Sequence, residues 1–156
     1  YAWDFGDSVH KAPIVKMYTL GSSFVPPPVH AGGLRYHGVA PLVSYLKKRG
    51  YMRSEMLHQV VCMKAGVLMA KTEGVLPAPE TCHAIASAIS AARTAQENNE
   101  KKTILFNFSG HGFFDTSAYH ALINNQLVDY EYPDVAINAA IKELPYIDES
   151  KFIKNV

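Results

Sequence analysis

Neither sign of charge dominates this sequence: 15 Lys and Arg stand against 14 Asp and Glu, a formal net charge of +1. That balance removes the electrostatic argument for a nucleic-acid or anionic-membrane partner. Long apolar runs are missing as well. Nothing approaches the roughly 18 consecutive apolar residues that a spanning helix needs, and no secretory leader pattern is visible. Cysteine is scarce. Cys62 and Cys82 form neither a CxxC pair nor a disulfide framework, so a reducing, cytoplasmic compartment is the expectation. Metal-ligand spacing is also lacking. The histidines form no HExxH or comparable pattern, which argues against a metal-dependent hydrolase built on some of His30, His37, His83, His111 and Asp115, and the expected metal is none. An initiator Met is absent: the chain opens Tyr1-Ala-Trp-Asp-Phe-Gly6 with no evident N-terminal element, which predicts a piece of something longer.

What is present suits a globular α/β protein. With 156 residues, 48% of them hydrophobic, the chain is long enough to bury one sizeable core. Its organising stretch is Thr103-Ile-Leu-Phe-Asn-Phe-Ser-Gly-His-Gly-Phe-Phe-Asp115. The apolar run Ile104 to Phe108 reads as a buried strand of an α/β sheet. It breaks into Ser109-Gly110-His111-Gly112, and a helix-start signal follows with Asp115 as the N-cap candidate. Open α/β sheets bind ligands at the carboxyl ends of their strands. Ser109 therefore stands where a hydroxyl could meet a ligand, with glycine allowing close backbone approach. On the residues alone, a turn that needs Ser and Gly only for its geometry explains the pattern equally well.

Residues 1–38 are punctuated by Gly6, Pro13, Gly21, Pro26-Pro27-Pro28, Gly32-Gly33 and Gly38. This region reads as mostly loop, with a short strand around Val15–Thr19. Its aromatic and apolar content argues against disorder, and His30-Ala-Gly-Gly-Leu-Arg-Tyr-His-Gly38 reads as an ordered binding loop. The stretch 39–145 carries the helices. One runs from Pro41 to Lys47-Lys48-Arg49 and stops at Gly50, with its cations in the last turn. Ser54 is the N-cap candidate for a buried, Met-rich helix over Glu55 to Thr72, whose methionines read as core packing. After Glu73-Gly-Val-Leu-Pro-Ala-Pro-Glu80 comes an alanine-rich helix from near Glu80, then helices over Ala118–Leu127 and Asp134–Leu144. Glu80 is a carboxylate at a helix N-terminus: it either complements the dipole or faces a ligand, and spacing alone leans to the former. The residues from 146 to 156 read as a polar, loosely held tail.

Three blocks in this order carry a resemblance. They are Met17-Tyr-Thr-Leu-Gly with Phe24-Val-Pro-Pro-Pro-Val-His-Ala-Gly-Gly-Leu-Arg-Tyr-His-Gly38, then Glu73-Gly-Val-Leu-Pro-Ala-Pro-Glu80, then Asn107-Phe-Ser-Gly-His-Gly112. Weaker similarity continues through Tyr130-Glu-Tyr-Pro133. The pattern resembles the C-terminal part of the tryptophan synthase beta family, in its second, divergent class. The resemblance implies the C-terminal half of a pyridoxal-phosphate (PLP) fold type II domain, of three-layer αβα architecture, spanning residues 1–156. It implies a lyase that condenses L-serine with indole to L-tryptophan by β-replacement.

Within that resemblance Ser109, beside Gly110, matches the serine that hydrogen-bonds the pyridine nitrogen of PLP. A hydroxyl there leaves the ring nitrogen largely unprotonated and favours β-elimination and replacement. Glu80 matches the glutamate that assists indole attack by stabilising the charge developing on the indole nitrogen. His30, Arg35, Tyr36 and His37 lie in a loop characteristic of the second class, which lines or covers the site.

The Schiff-base lysine and the glycine-rich phosphate cradle of that family are not found here. His10-Lys11 is a decoy followed by the wrong context, Ala12-Pro13, and Lys16, Lys47, Lys48, Lys64 and Lys71 have no better one. Without that lysine no internal aldimine forms, so the isolated chain is expected to be inactive. The expected partners are the missing N-terminal half of the enzyme and a second copy in a homodimer; whether an alpha chain and a monovalent cation join them is left open by the sequence. The alternative is a non-catalytic remnant that binds only a ligand or partner chain. Either way, half of a fold exposes core surface, which predicts poor solubility or oligomerisation.

Overall fold

The structure is a computed structural model that describes residues 1–151. The five residues beyond them, part of the expected polar tail, lie outside the described residues. The described chain combines helices with one small sheet and falls into two compact units. One comprises Tyr1–Pro27, Tyr36–Glu55 and, among the described residues, 132–151; the other comprises Pro28–Arg35 and Met56–Glu131.

In the first unit, strands β1 (Ala2–Phe5) and β2 (Ile14–Met17) form an antiparallel pair with Ala2 opposite Met17 and Phe5 opposite Ile14. The loop expected over 1–38 thus contains a strand, β1, that no sequence pattern announced. Part of its anchorage lies in Asp4, which is fully buried. Its carboxylate accepts the Phe5 N–H at 2.8 Å and the Thr19 hydroxyl at 2.6 Å, so no lone charge is left in the interior. Trp3 Nε1 donates to Glu149 at 3.0 Å, and Lys16 pairs with the same carboxylate, lowering its pKa. Helix α1 (Pro41–Lys48) starts with proline in its first turn and ends with Lys47 and Lys48 at the negative end of its dipole. Helix α5 (Asp134–Lys142) belongs to the same unit.

The second unit holds the hydrophobic core. Helices α2 (Gln59–Glu73), α3 (Pro79–Glu97) and α4 (Thr116–Ile123) surround Cys62, Met63, Cys82, Ile85, Ala118 and Tyr119, all buried. Gly66 lets α2 approach α3, since a Cβ there would collide with Cys82 Sγ and lie 2.8 Å from Tyr119 Oη. Tyr119 in turn donates its hydroxyl to Pro77 O at 2.5 Å. Gly74, at φ +71°, ends α2 in the left-handed conformation that glycine adopts freely.

Two expectations need correction. α2 starts at Gln59, not at Glu55, and Ser54 is not its cap; the Val60 N–H is taken by Asp129 Oδ1 at 3.0 Å. The run Ile104–Phe108 is not a paired strand. Residues 101–109 make no backbone–backbone hydrogen bond among the described residues. The side chains still alternate: Phe106 and Phe108 pack against the core while Leu105 is 95% exposed. The sequence has the period and composition of a strand, but a ladder needs a neighbour, and none lies alongside here.

Candidate functional site

The site lies in the second unit, where the start of α3 meets the turn after residue 108. Two backbone hydrogen bonds join these segments. Ala78 N–H donates to Gly110 O at 2.9 Å, and Gly112 N–H donates to Leu76 O at 2.8 Å, flanking an antiparallel bridge between Pro77 and His111. This close crossing is why residue 112 is glycine: any Cβ would run into Pro77 O. At Gly110 an added Cβ would stand 3.3 Å from the Ala78 methyl, a tight fit.

The crossing sets the first turn of α3 against Ser109. Thr81 is fully buried, and its Oγ1 lies 3.1 Å from Ser109 Oγ. The same oxygen accepts the Gly110 N–H at 3.0 Å and lies 3.1 Å from Gly110 O. Ser109 itself is exposed. An exposed hydroxyl is therefore held from behind by a buried one, at the end of an extended apolar segment. Thr81 gave no signal in the sequence: a threonine in an alanine-rich helix follows no motif, and its partners are about 28 residues away along the chain.

Glu80 precedes Thr81 in the same turn and is half-buried. Its Oε1 accepts the backbone N–H of Gly33 at 2.7 Å. Gly33 lies in the short 3-10 turn Gly32–Leu34, and a Cβ there would come within 3.0 Å of the Glu80 side chain. The loop is tied down a second time where His30 N–H donates to Gln59 Oε1 at 3.2 Å. The structure thus brings Glu80, Thr81, Ser109 and Gly110 together, with the loop through Gly33 on the carboxylate.

The expected binding loop 30–38 divides between the units. His30 and Arg35 belong with α2 and α3, whereas Tyr36 and His37 belong with β1 and β2. Arg35 and Tyr36 are exposed. His37 Nε2 lies 3.0 Å from Phe5 O, and as the tautomer with a proton there it donates to that carbonyl. Of the decoy pair, His10 stacks on Phe5 with ring centroids 4.0 Å apart, and Lys11 N–H donates to Asp7 at 2.9 Å. His83 Nδ1 lies 2.9 Å from Pro79 O in its own helix. No group of three or more His, Cys, Asp and Glu among the described residues is placed to hold a metal ion. No described helix is long and apolar enough to cross a membrane.

These groups can hold a polar ligand. Ser109 offers an exposed hydroxyl that can donate or accept a hydrogen bond. Glu80 offers a carboxylate whose second oxygen can meet a developing positive charge.

No family model matches the chain. Among curated proteins it is 54% identical over 129 residues to tryptophan synthase beta chain 2 of Aquifex aeolicus, covering 83% of this chain and 30% of that protein. It is 53% identical over 119 residues to tryptophan synthase beta chain 2 of Methanothermobacter thermautotrophicus, with coverage of 76% and 28%. Against the tryptophan synthase beta chain of Pyrococcus horikoshii the identity is 47% over 131 residues, with coverage of 84% and 28%. The chain thus spans about 30% of the length of the relatives it matches.

Proposed function

From this homology to the tryptophan synthase beta chains, we propose that the 156 residues form part of a PLP-dependent lyase that condenses L-serine with indole to L-tryptophan. The observation that carries this reading is the exposed hydroxyl of Ser109 held from behind by buried Thr81, one residue from Glu80.

PLP, when bound, supplies the electron withdrawal that lets a serine lose its β-hydroxyl and accept a new β-substituent. Ser109 would hold the ring nitrogen through its hydroxyl. As a neutral partner it would not force a proton onto that nitrogen, so ring withdrawal would stay moderate and replacement would be favoured over transamination. Glu80 stabilises the positive charge that grows on the indole nitrogen as carbon 3 forms its bond. Gly33 N–H holds one oxygen of that carboxylate and leaves the other to face the substrate. His30 and Arg35 belong to the loop segment that Gly33 ties to Glu80, which gives that segment its place as the substrate loop. The Schiff-base lysine and the phosphate cradle come from outside these residues, within a three-layer αβα domain that the longer chain completes, and a homodimer is the expected assembly.

The test is a comparison of Ser109→Ala and Glu80→Gln in the full-length chain that carries this segment. Ser109→Ala is expected to weaken PLP binding. Glu80→Gln is expected to lower kcat for tryptophan formation on the order of 100-fold while PLP binding stays unchanged. Wild-type affinity and rate in both variants would overturn the reading.

A further inference from the structure

We propose that Thr81 is a positioning residue that lets Ser109 meet a pyridine-type ring nitrogen either as hydrogen-bond donor or as acceptor. This rests on the reading of Ser109 given above and adds a residue to it.

A threonine hydroxyl has one proton to give and two lone pairs to fill. At Thr81 one lone pair is taken by Gly110 N–H at 3.0 Å. One proton and one lone pair remain, and two oxygens are in reach: Ser109 Oγ at 3.1 Å and Gly110 O at 3.1 Å. Two arrangements use them. In the first, Thr81 donates to Gly110 O and accepts the Ser109 proton, so Ser109 faces outward with lone pairs only. In the second, Thr81 donates to Ser109 Oγ, and the Ser109 proton points outward.

The second arrangement would be costly if it left Gly110 O unpaired in the interior. It does not, because Ala78 N–H already donates to that carbonyl at 2.9 Å. A single unfilled lone pair on Thr81 is a small penalty compared with a stranded N–H. Neither arrangement strands the Gly110 N–H or carbonyl, so Ser109 can match a ring nitrogen whether or not it carries a proton. Burial of Thr81 keeps water from competing for these bonds.

Full-length chain loaded with PLP labelled with 15N in the ring provides the test. The readouts are the ring-nitrogen chemical shift and the PLP dissociation constant for Ser109→Ala, Thr81→Val and Thr81→Ser. The expected result is that Thr81→Val moves the 15N signal toward that of Ser109→Ala and weakens PLP binding about two- to tenfold, the range one neutral hydrogen bond covers. Thr81→Ser, which keeps the hydroxyl, restores both. A Thr81→Val signal at the wild-type position, with Ser109→Ala displaced, would overturn the role of Thr81 and leave Ser109 intact. A wild-type signal in Ser109→Ala would instead remove the premise. If Thr81→Val does not fold, Thr81→Cys takes its place: its weak S–H donor is expected to give an intermediate shift, and an unchanged signal overturns the proposal.

Discussion

Gly66 shows how one residue holds the second unit together. Within a helix, alanine is preferred over glycine by about 1 kcal/mol. Packing reverses that preference here, because the added methyl would strike Cys82 Sγ and crowd Tyr119 Oη, which is fixed by its bond to Pro77 O. Gly66→Ala is therefore expected to destabilise the chain by about 1–3 kcal/mol in urea unfolding; an unchanged or higher midpoint would mean that α2 and α3 separate at no cost. The two thiols in the same core are held neutral. Burial, with Cys82 nearby, pushes Cys62 from 9.0 to about 12, and burial raises Cys82 as well. A folded pKa above the unfolded one favours the fold fully below pH 9.0 and less and less as pH rises toward about 12. Urea midpoints should fall between pH 8 and pH 10.5, and a thiol reagent at pH 7 should modify both cysteines only after unfolding. Rapid labelling of folded protein would contradict the burial. At this scale, spacing alone left Ser109 and Glu80 undecided, and only the resemblance singled them out. Thr81 carried no signal, because its contact with Ser109 exists only once residues 81 and 109 are brought together.

Among the elements, α1, α3 and α5 begin where the sequence places them, because proline or acidic residues in their first turns are local signals. α2 begins late because its signal is not local: Asp129, from the far end of the unit, accepts the Val60 N–H that a neighbouring cap would ordinarily take. Asp129→Ala should cost about 0.5–2 kcal/mol in denaturant unfolding, the worth of a helix cap, whereas Ser54→Ala should be near neutral. The reverse order would return the helix start to Ser54. The run Ile104–Phe108 shows the opposite failure. Its apolar composition suggests a buried strand, yet strand identity is completed by a partner, and residues 101–109 have no backbone partner among the described residues. Leu105, on the face away from Phe106 and Phe108, is exposed.

For the molecule as a whole, the second unit keeps two grooves with apolar walls. One of about 560 Å³ is lined by Leu57, Val61, Leu68 and Ile89 with Lys64 and Arg93 at hand, and another of about 420 Å³ by Met69, Ile85, Ile104 and Phe106. Surface of this kind fits a chain spanning about 30% of the length of its relatives. The proposed function divides the labour: residues of this sequence would meet the ring nitrogen and the indole, while the lysine that anchors PLP would lie elsewhere. That division is the central claim, and one measurement addresses it directly: borohydride reduction of the PLP-loaded full-length chain, followed by mapping of the modified lysine by peptide mass. The account predicts a single pyridoxyl-lysine outside the 156 residues. A pyridoxyl group on Lys11, Lys16 or any other lysine of this sequence would contradict it.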